Sequence, residues 1–561
     1  MRPSSRPSQR TARDVSRREF LRTGILGSAS LAALGSSACA WEQLSTWAQL
    51  SASAQDYDFV PAIVIGSGFG GAVAALRLGQ AGISTLVLER GRRWDIRADG
   101  NTFATFERPD GRAYWLRDHT AEGVLGLPQL EKPIDRYVGV LEVVVGNGIF
   151  VGAGAGVGGG SLVFNAIIVK PRRELFERIF PREIDFGEME DVYYPRVKGI
   201  IGSAPIPDDI LATEYYRSSR VSLDQARTAG FPTRPVDLAI DWDIVRDEIG
   251  GLRVPSAIAG QSFYGLNSGA KRSLDHNYLA MAEATGRVEI LPLHNVVAIE
   301  QGHGDRYAVT ALRISDGGDV VGTPRRLTCK YLFLAAGSIG TTSLLVRARA
   351  TRALPALNDH VGRHWAANGD IPVTRGALPL TNAGTGGPAG HFIMEDLDNP
   401  LGPTSLVELV LPPHIAAALS LAGAPPHFAN YASLGIPPAI GSFSYDAATN
   451  VVALNWPGTD PRVANFLAAA KGTLAVLDRS NGSLTLSFNP FVSAHPLGGA
   501  VLGKVCDLDG RVEHHRGLYV VDGALIEGST GLANPSFTIA ALAERSMDHI
   551  LAEDHLRDQP V

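Results

Sequence analysis

Short apolar runs punctuate the chain, and the residues between them decide what each run becomes. Ile63-Val64-Ile65 is followed by Gly66-Ser67-Gly68-Phe69-Gly70-Gly71, by an alanine-rich stretch of helical spacing from Ala72 to Ala81, and by Leu86-Val87-Leu88 ending in Glu89. This pattern predicts a strand, a glycine turn, a helix, a second strand and a terminal acid. Tyr331 to Gly340 repeats the first half of it and would return the chain to the same sheet. Val288 to Leu291, Asn295 to Ile299, Tyr307 to Leu312 and Leu518 to Val521 read as further strands, and Asn277 to Thr285 and Phe537 to Leu551 as helices. From about 351 to 490, strand alternation is broken by Pro-rich loops such as Leu411-Pro412-Pro413 and Ala424-Pro425-Pro426, as a separate antiparallel sheet would require.

The glycine turn carries a specific chemistry. Gly66 permits the tight bend, Gly68 lets backbone approach a pyrophosphate, and Gly71 allows close packing of helix on sheet. The helix N-terminus offers unpaired N–H groups to the phosphates, and Glu89 is placed to accept from ribose hydroxyls. The motif alone does not choose between NAD and FAD. Its position at the start of the mature chain suits a flavoprotein that builds its fold on this unit. A second glycine concentration, Gly152 to Asn165, ends in the apolar Leu162-Val163-Phe164 rather than continuing as a linker, so it reads as backbone lying against something flat and large. Between them, Gly91 to Arg136 carries Trp94, Phe103, Phe106, Tyr114 and Trp115 and reads as a surface excursion packed by aromatics.

The N-terminus changes the picture. Ser16-Arg17-Arg18-Glu19-Phe20-Leu21 precedes a short apolar region, Ile25 to Leu34, and then Ala38-Cys39-Ala40. These are the parts of a secretory signal of twin-arginine type, with cleavage after Ala40 preferred over lipidation at Cys39. Such export carries folded proteins and suits an enzyme that captures its cofactor in the cytoplasm. Without the first 40 residues, which hold seven Arg and two acids, 44 basic residues stand against 55 acidic, a net charge of −11. That balance argues against nucleic-acid binding. Cys329 and Cys506 have no metal-ligand spacing, so no metal is expected, while a single bridge between them stays open.

Two short segments read as a reaction site. Ser493-Ala494-His495-Pro496-Leu497-Gly498-Gly499 and Gly531-Leu532-Ala533-Asn534-Pro535 each place a polar residue before proline, which forces an extended backbone and a defined side-chain direction. Leu518 to Gly523 lies between them as a strand ending in Asp522-Gly523.

Together these segments resemble the glucose-methanol-choline (GMC) oxidoreductase family and, within it, the bacterial secreted cholesterol oxidases with non-covalent FAD. The more specific stretches are Gly156 to Val163, Tyr445-Asp446-Ala447-Ala448-Thr449, His495 to Gly499 and Ala541-Leu542-Ala543-Glu544-Arg545; Tyr331 to Gly340, with Leu344 to Arg349, is more generic. The resemblance implies an α/β protein, α+β overall. Its FAD-binding domain would come mainly from 56–350 and 491–556, with inserted substrate-domain segments, and its antiparallel-sheet substrate domain mainly from 351–490. FAD contacts are expected from Gly66, Gly68, Phe69, Gly70, Gly71, Glu89, Gly158, Gly159, Ser161, Val296, Gly337, Asp522, Gly523, Asn534 and Pro535. His495 would orient the alcohol and take part in removing its proton, and Asn534 would contact the substrate oxygen and the flavin. Glu408 matches the glutamate that shifts a steroid double bond after oxidation. It shares a strand face with Leu406 and Val410 and is expected in an apolar space, the alternative being an edge strand facing water.

The implied activity is oxidation of a 3β-hydroxysteroid by O₂, with Δ5 to Δ4 isomerisation and transient contact with sterol-bearing membranes. Two departures bear on substrate: Phe164-Asn165-Ala166 stands where the family usually has Asn-Gly-Gly, and Ala500 where it has cysteine. The rival readings are a GMC enzyme of a non-steroid alcohol and a flavin-binding redox protein without turnover.

Overall fold

Strand β1 (Asp58–Ile65), helix α1 (Phe69–Gln80) and strand β2 (Thr85–Leu88) form the expected opening unit of the computed structural model. The structure describes residues 58–125, 128–382, 384–410, 427–554 and 556, all within the compact unit Gln43–Val561. The signal and both Pro-rich loops lie outside the described residues. Among the described residues no helix is long and apolar enough to cross a membrane.

β1 and β2 are completely buried at their apolar ends, as parallel strands covered on both faces must be. Val288–Leu291 pairs parallel with β2, and Arg325–Leu334 pairs parallel with β1 and with Leu518–Val520. Tyr307–Arg313 and His294–Gln301 extend this seven-stranded sheet antiparallel, with Val296 opposite Ala311. Tyr331 to Gly340 thus does return the chain to the first sheet, with helix Gly337–Ala350 following.

A six-stranded antiparallel sheet comes from Ile371–Gly376, Ala389–Asp396, Thr404–Leu409, Ala429–Leu434 and Leu484–Phe488, and adds Thr233–Pro235 from the earlier part of the chain. Helices Arg217–Thr228 and Pro461–Asn481 pack on one face of it, around Leu406, Phe392, Tyr431 and Val373. The aromatic loop is buried, with Trp94, Phe103, Phe106 and Tyr114 in one cluster with Val140, Leu162 and Tyr264. Cys329 and Cys506 are both free and buried, which closes the question of a bridge.

The Ala541 to Arg545 stretch has a structural explanation. Glu544 is fully buried and accepts from both Nε and Nη2 of Arg77 and from the Tyr278 hydroxyl, tying the last helix, Pro535–Glu553, to α1. Arg545 reaches Asp509 at 2.7 Å on the other side.

The glycine turn is set by close approach. A Cβ on Gly70 would lie 1.8 Å from the Val521 carbonyl oxygen, whereas Gly68 has open space where a side chain would stand and a negative φ of −70°. Gly70→Ala should therefore cost about 3 kcal/mol, while Gly68→Ala in the flavin-free protein should cost less than about 1 kcal/mol. Thermal denaturation of both apo-variants checks this, and equal losses would contradict it.

Candidate functional site

Three separate stretches of sequence converge at the end of β1. Ser67 is their junction: its hydroxyl donates to Glu89 Oε2 at 2.7 Å and accepts from the Gly158 N–H at 3.1 Å, while its own N–H donates to Glu89 Oε2 at 3.0 Å. The Gly91 N–H donates to Glu89 Oε1 at 2.9 Å. Glu89 thus ties the turn together, and its remaining lone pairs are what it can offer a ribose. The second glycine segment rests directly on the first, since a Cβ on Gly159 would come within 2.7 Å of Gly68 Cα. Gly68 and Gly160 keep open space on the Cβ side. Nothing caps α1 by side chain, so its N-terminal N–H groups remain available to an anion.

The other expected cofactor residues divide by what they touch. Gly66, with φ +95°, and Gly71 are pressed against backbone at Ala335 and Gly66, so they shape the turn rather than face a ligand. Phe69 meets Phe164 edge to face at 5.6 Å. Ser161 donates to the Gly158 carbonyl at 2.7 Å and accepts from Leu274 N–H, locking the loop. Gly337 has φ +77° and open space beside it, at the start of its helix. Asp522 is buried, accepts from Thr341 Oγ1 at 2.5 Å and from Ala524 N–H at 2.8 Å, and burial pushes its carboxyl up to about 6. The Gly523 carbonyl accepts from Gly498 N–H at 2.9 Å, joining this turn to the His-Pro segment.

The structure brings His495 and Asn534 together. Val492–Ser493 pairs parallel with Ile149–Gly154, the strand leading into the second glycine segment, and so delivers His495 beside it. Asn534 caps helix Pro535–Glu553 with extended backbone (φ −64°, ψ 135°), as a residue before proline should. Its side chain makes no capping bond; instead Nδ2 stands 3.4 Å from His495 Nε2, and its buried Oδ1 has no partner among the described residues. Asn368 holds this loop in place: its Nδ2 donates to the Ala533 carbonyl at 2.8 Å and its Oδ1 accepts from Thr530 N–H at 2.9 Å.

Glu408 is buried, on a strand flanked by two others, so the water-facing edge alternative is excluded. Its placement corrects the role expected of it. Ser405, on the opposite face of the strand by alternation, donates to the Leu532 carbonyl beside Asn534. Glu408 faces helix Arg217–Thr228 instead, where Ser218 and Ser219 donate to it and its cross-strand neighbour Tyr431 bonds Ser222. The sheet separates it from the His495–Asn534 pair. Reading a strand face as apolar was sound, but the hydrophobic pattern of a doubly covered strand does not say which layer lies on which side.

Sequence reasoning missed Ser67, Asn368 and two buried charges. Lys271 sits under the second glycine segment, donating to the carbonyls of Leu162, Phe164 and Ser262 at 2.8 to 2.9 Å, and burial lowers it to about 7. Asp370 stands beside His495, at 3.3 Å from its Nδ1. Lys271 is marked only by a charge following the small run Ser268-Gly269-Ala270, and Asp370, after Asn368-Gly369, by almost nothing.

The residues present fit FAD. Two glycine segments with open Cβ positions, an uncapped helix N-terminus and an orphaned buried amide oxygen are what a dinucleotide with a flat ring system requires. The family model described as GMC oxidoreductase matches residues 446–543, the span that holds His495, Asp522 and Asn534. The cholesterol oxidase of Mycobacterium tuberculosis (strain ATCC 25618 / H37Rv) is 26% identical, over 88% of this chain and 90% of its own length. That of Acinetobacter baumannii is 25% identical, over 90% and 96%. Among solved structures, a fungal aryl-alcohol oxidase superposes with a TM-score of 0.58 at 15% identity, covering 90% of this chain and 100% of its own. Pyridoxine 4-oxidase from Mesorbium loti gives 0.56 at 14%, covering 88% and 99%.

Burial pushes Glu408 from its ordinary 4.5 up to about 7. The folded protein therefore keeps a proton there that the unfolded chain has lost, and stability falls as pH rises from about 4.5 to 7. Glu408→Gln should stabilise the protein above pH 7, by up to about 3 kcal/mol, and change it little at pH 4.5. Melting temperatures of both proteins at the two pH values test this; a variant destabilised at pH 8 would contradict it. Residues 446–543 thus match the GMC oxidoreductase family model, and over nearly all of its described length the chain shares the fold of these solved alcohol and pyridoxine oxidases.

Proposed function

We propose that this protein oxidises the hydroxyl of a 3β-hydroxysteroid to the ketone, with FAD as cofactor and O₂ as final acceptor. The observation that carries the reading is the His495–Asn534 pair, held at 3.4 Å beside the second glycine segment with one amide oxygen unpartnered. Bound FAD supplies the hydride acceptor. This chain's residues do the rest. The Asn534 amide orients the alcohol oxygen, and His495 Nε2, 3.4 Å from Asn534 Nδ2, takes the hydroxyl proton as the C–H bond breaks. The segments around Gly68, Gly158, Gly159 and Gly160 would hold the cofactor, which would supply the hydride acceptor beside these two groups.

The steroid assignment rests on likeness to the two cholesterol oxidases over most of both chains. Isomerisation through Glu408 is not part of it, because that carboxyl lies across the sheet from His495. Phe164 against Phe69 favours a second substrate class, aromatic alcohols, since the pair adds aromatic surface beside the cradle. The twin-arginine pattern supports export of the folded, flavin-loaded enzyme, and a sterol substrate supports transient contact with membranes.

His495→Gln should lower the alcohol-dependent rate by about 100-fold or more while flavin content stays unchanged. Hydrogen peroxide release measured with cholesterol and with an aryl alcohol, for native protein and variant, tests both the residue and the substrate class. A variant with full activity would contradict the proton-acceptor role, and turnover of the aryl alcohol alone would move the substrate assignment.

A further inference from the structure

Asp370 is a buried carboxylate immediately before strand Ile371–Gly376, and its surroundings point one way. Its Oδ2 accepts from Ala494 N–H at 2.9 Å and from Ser493 Oγ at 3.3 Å, both in the segment that carries His495. The same oxygen lies 3.3 Å from His495 Nδ1, which makes no hydrogen bond among the described residues. Among the described residues, His495 is the only basic side chain within ion-pair range of Asp370. The carboxylate also borders a cavity of about 60 Å³ whose other walls are largely apolar, Ile149, Trp456, Phe466 and Phe491 among them. Poor solvation there leaves the charge to act on its nearest neighbour.

We propose that Asp370 is a positioning residue for His495: it holds the imidazole with its proton on Nδ1, so that the Nε2 lone pair faces Asn534 and the substrate. The inference rests on the alcohol-oxidising reading above. In the step it serves, the alcohol O–H bond breaks as Nε2–H forms, while the carbon bearing that oxygen would give up its hydrogen, with its electron pair, to bound FAD as C=O forms. The imidazolium so produced faces a carboxylate 3.3 Å away, which stabilises it. A hydrogen bond that is long or misaligned without substrate commonly tightens when substrate binds.

The competing explanation is that Asp370 only anchors the backbone of Ser493 and Ala494. Asp370→Asn separates the two, because the amide oxygen in the place of Oδ2 still accepts from Ala494 N–H while the negative charge that favours a proton on Nδ1 is gone. Histidine labelled with ¹⁵N and ¹³C, with the His495 signal identified by its loss in His495→Gln, reports the tautomer without any substrate. We expect Nδ1–H in the native protein and a shift toward Nε2–H in Asp370→Asn. Anaerobic flavin reduction by alcohol should slow about tenfold or more, with flavin content and melting temperature preserved.

Nε2–H in the native protein overturns the proposal without reference to any variant. An unchanged tautomer, or an unchanged reduction rate, in Asp370→Asn overturns it too. If no alcohol reduces the native flavin but the tautomer shifts as expected, the positioning contact stands and the alcohol reading falls.

Discussion

The structure depends on one close contact of backbones. Where β1 ends, Gly66 and Gly70 let the chain lie directly against Ala335 and Val521, with no side chain between. Ala335 N–H donates to the Ile65 carbonyl and Val521 N–H to that of Leu334, so segments far apart in sequence are fastened side by side. Any side chain at Gly70 would separate them. Through Gly523, whose carbonyl receives Gly498 N–H, the same contact fixes the His-Pro segment, and through Ser67 it fixes the second glycine segment.

Charge is buried on both sides of this contact, with different outcomes. Glu544 is satisfied by Arg77 and Tyr278, and it also lies 3.2 Å from Arg196, so it acts as structure. Removing one partner of such a group is costly because the other charge stays buried. Around His495 the polar groups are incompletely paired: among the described residues Asn534 Oδ1 has no partner and His495 Nδ1 faces Asp370 without a formed bond. Incomplete pairing in a buried site leaves capacity for a ligand's own polar groups.

Much of this was legible in the chain. The β1–α1–β2 unit, the strand into Gly337 and the helix after Asn534 were readable because local spacing, glycine placement and proline all agreed. Asn534 was readable because proline fixes the backbone before it. Glu408 was readable as buried and unreadable as to side: strand alternation gives two faces, and only the tertiary placement of helices Arg217–Thr228 and Pro461–Asn481 says which one they cover. Asp370 left almost no trace, since its role comes from a segment 125 positions later, which the parallel pairing of Val492–Ser493 with Ile149–Gly154 brings into place.

The most direct test of the central claim is to mix the flavin-loaded protein with solubilised cholesterol in the absence of oxygen and follow the flavin absorbance at its visible maximum. The account predicts bleaching, with recovery of the yellow form when air is admitted. Flavin that stays oxidised with cholesterol, yet bleaches with an aryl alcohol, would contradict the sterol assignment, and no bleaching with either would contradict the alcohol chemistry itself.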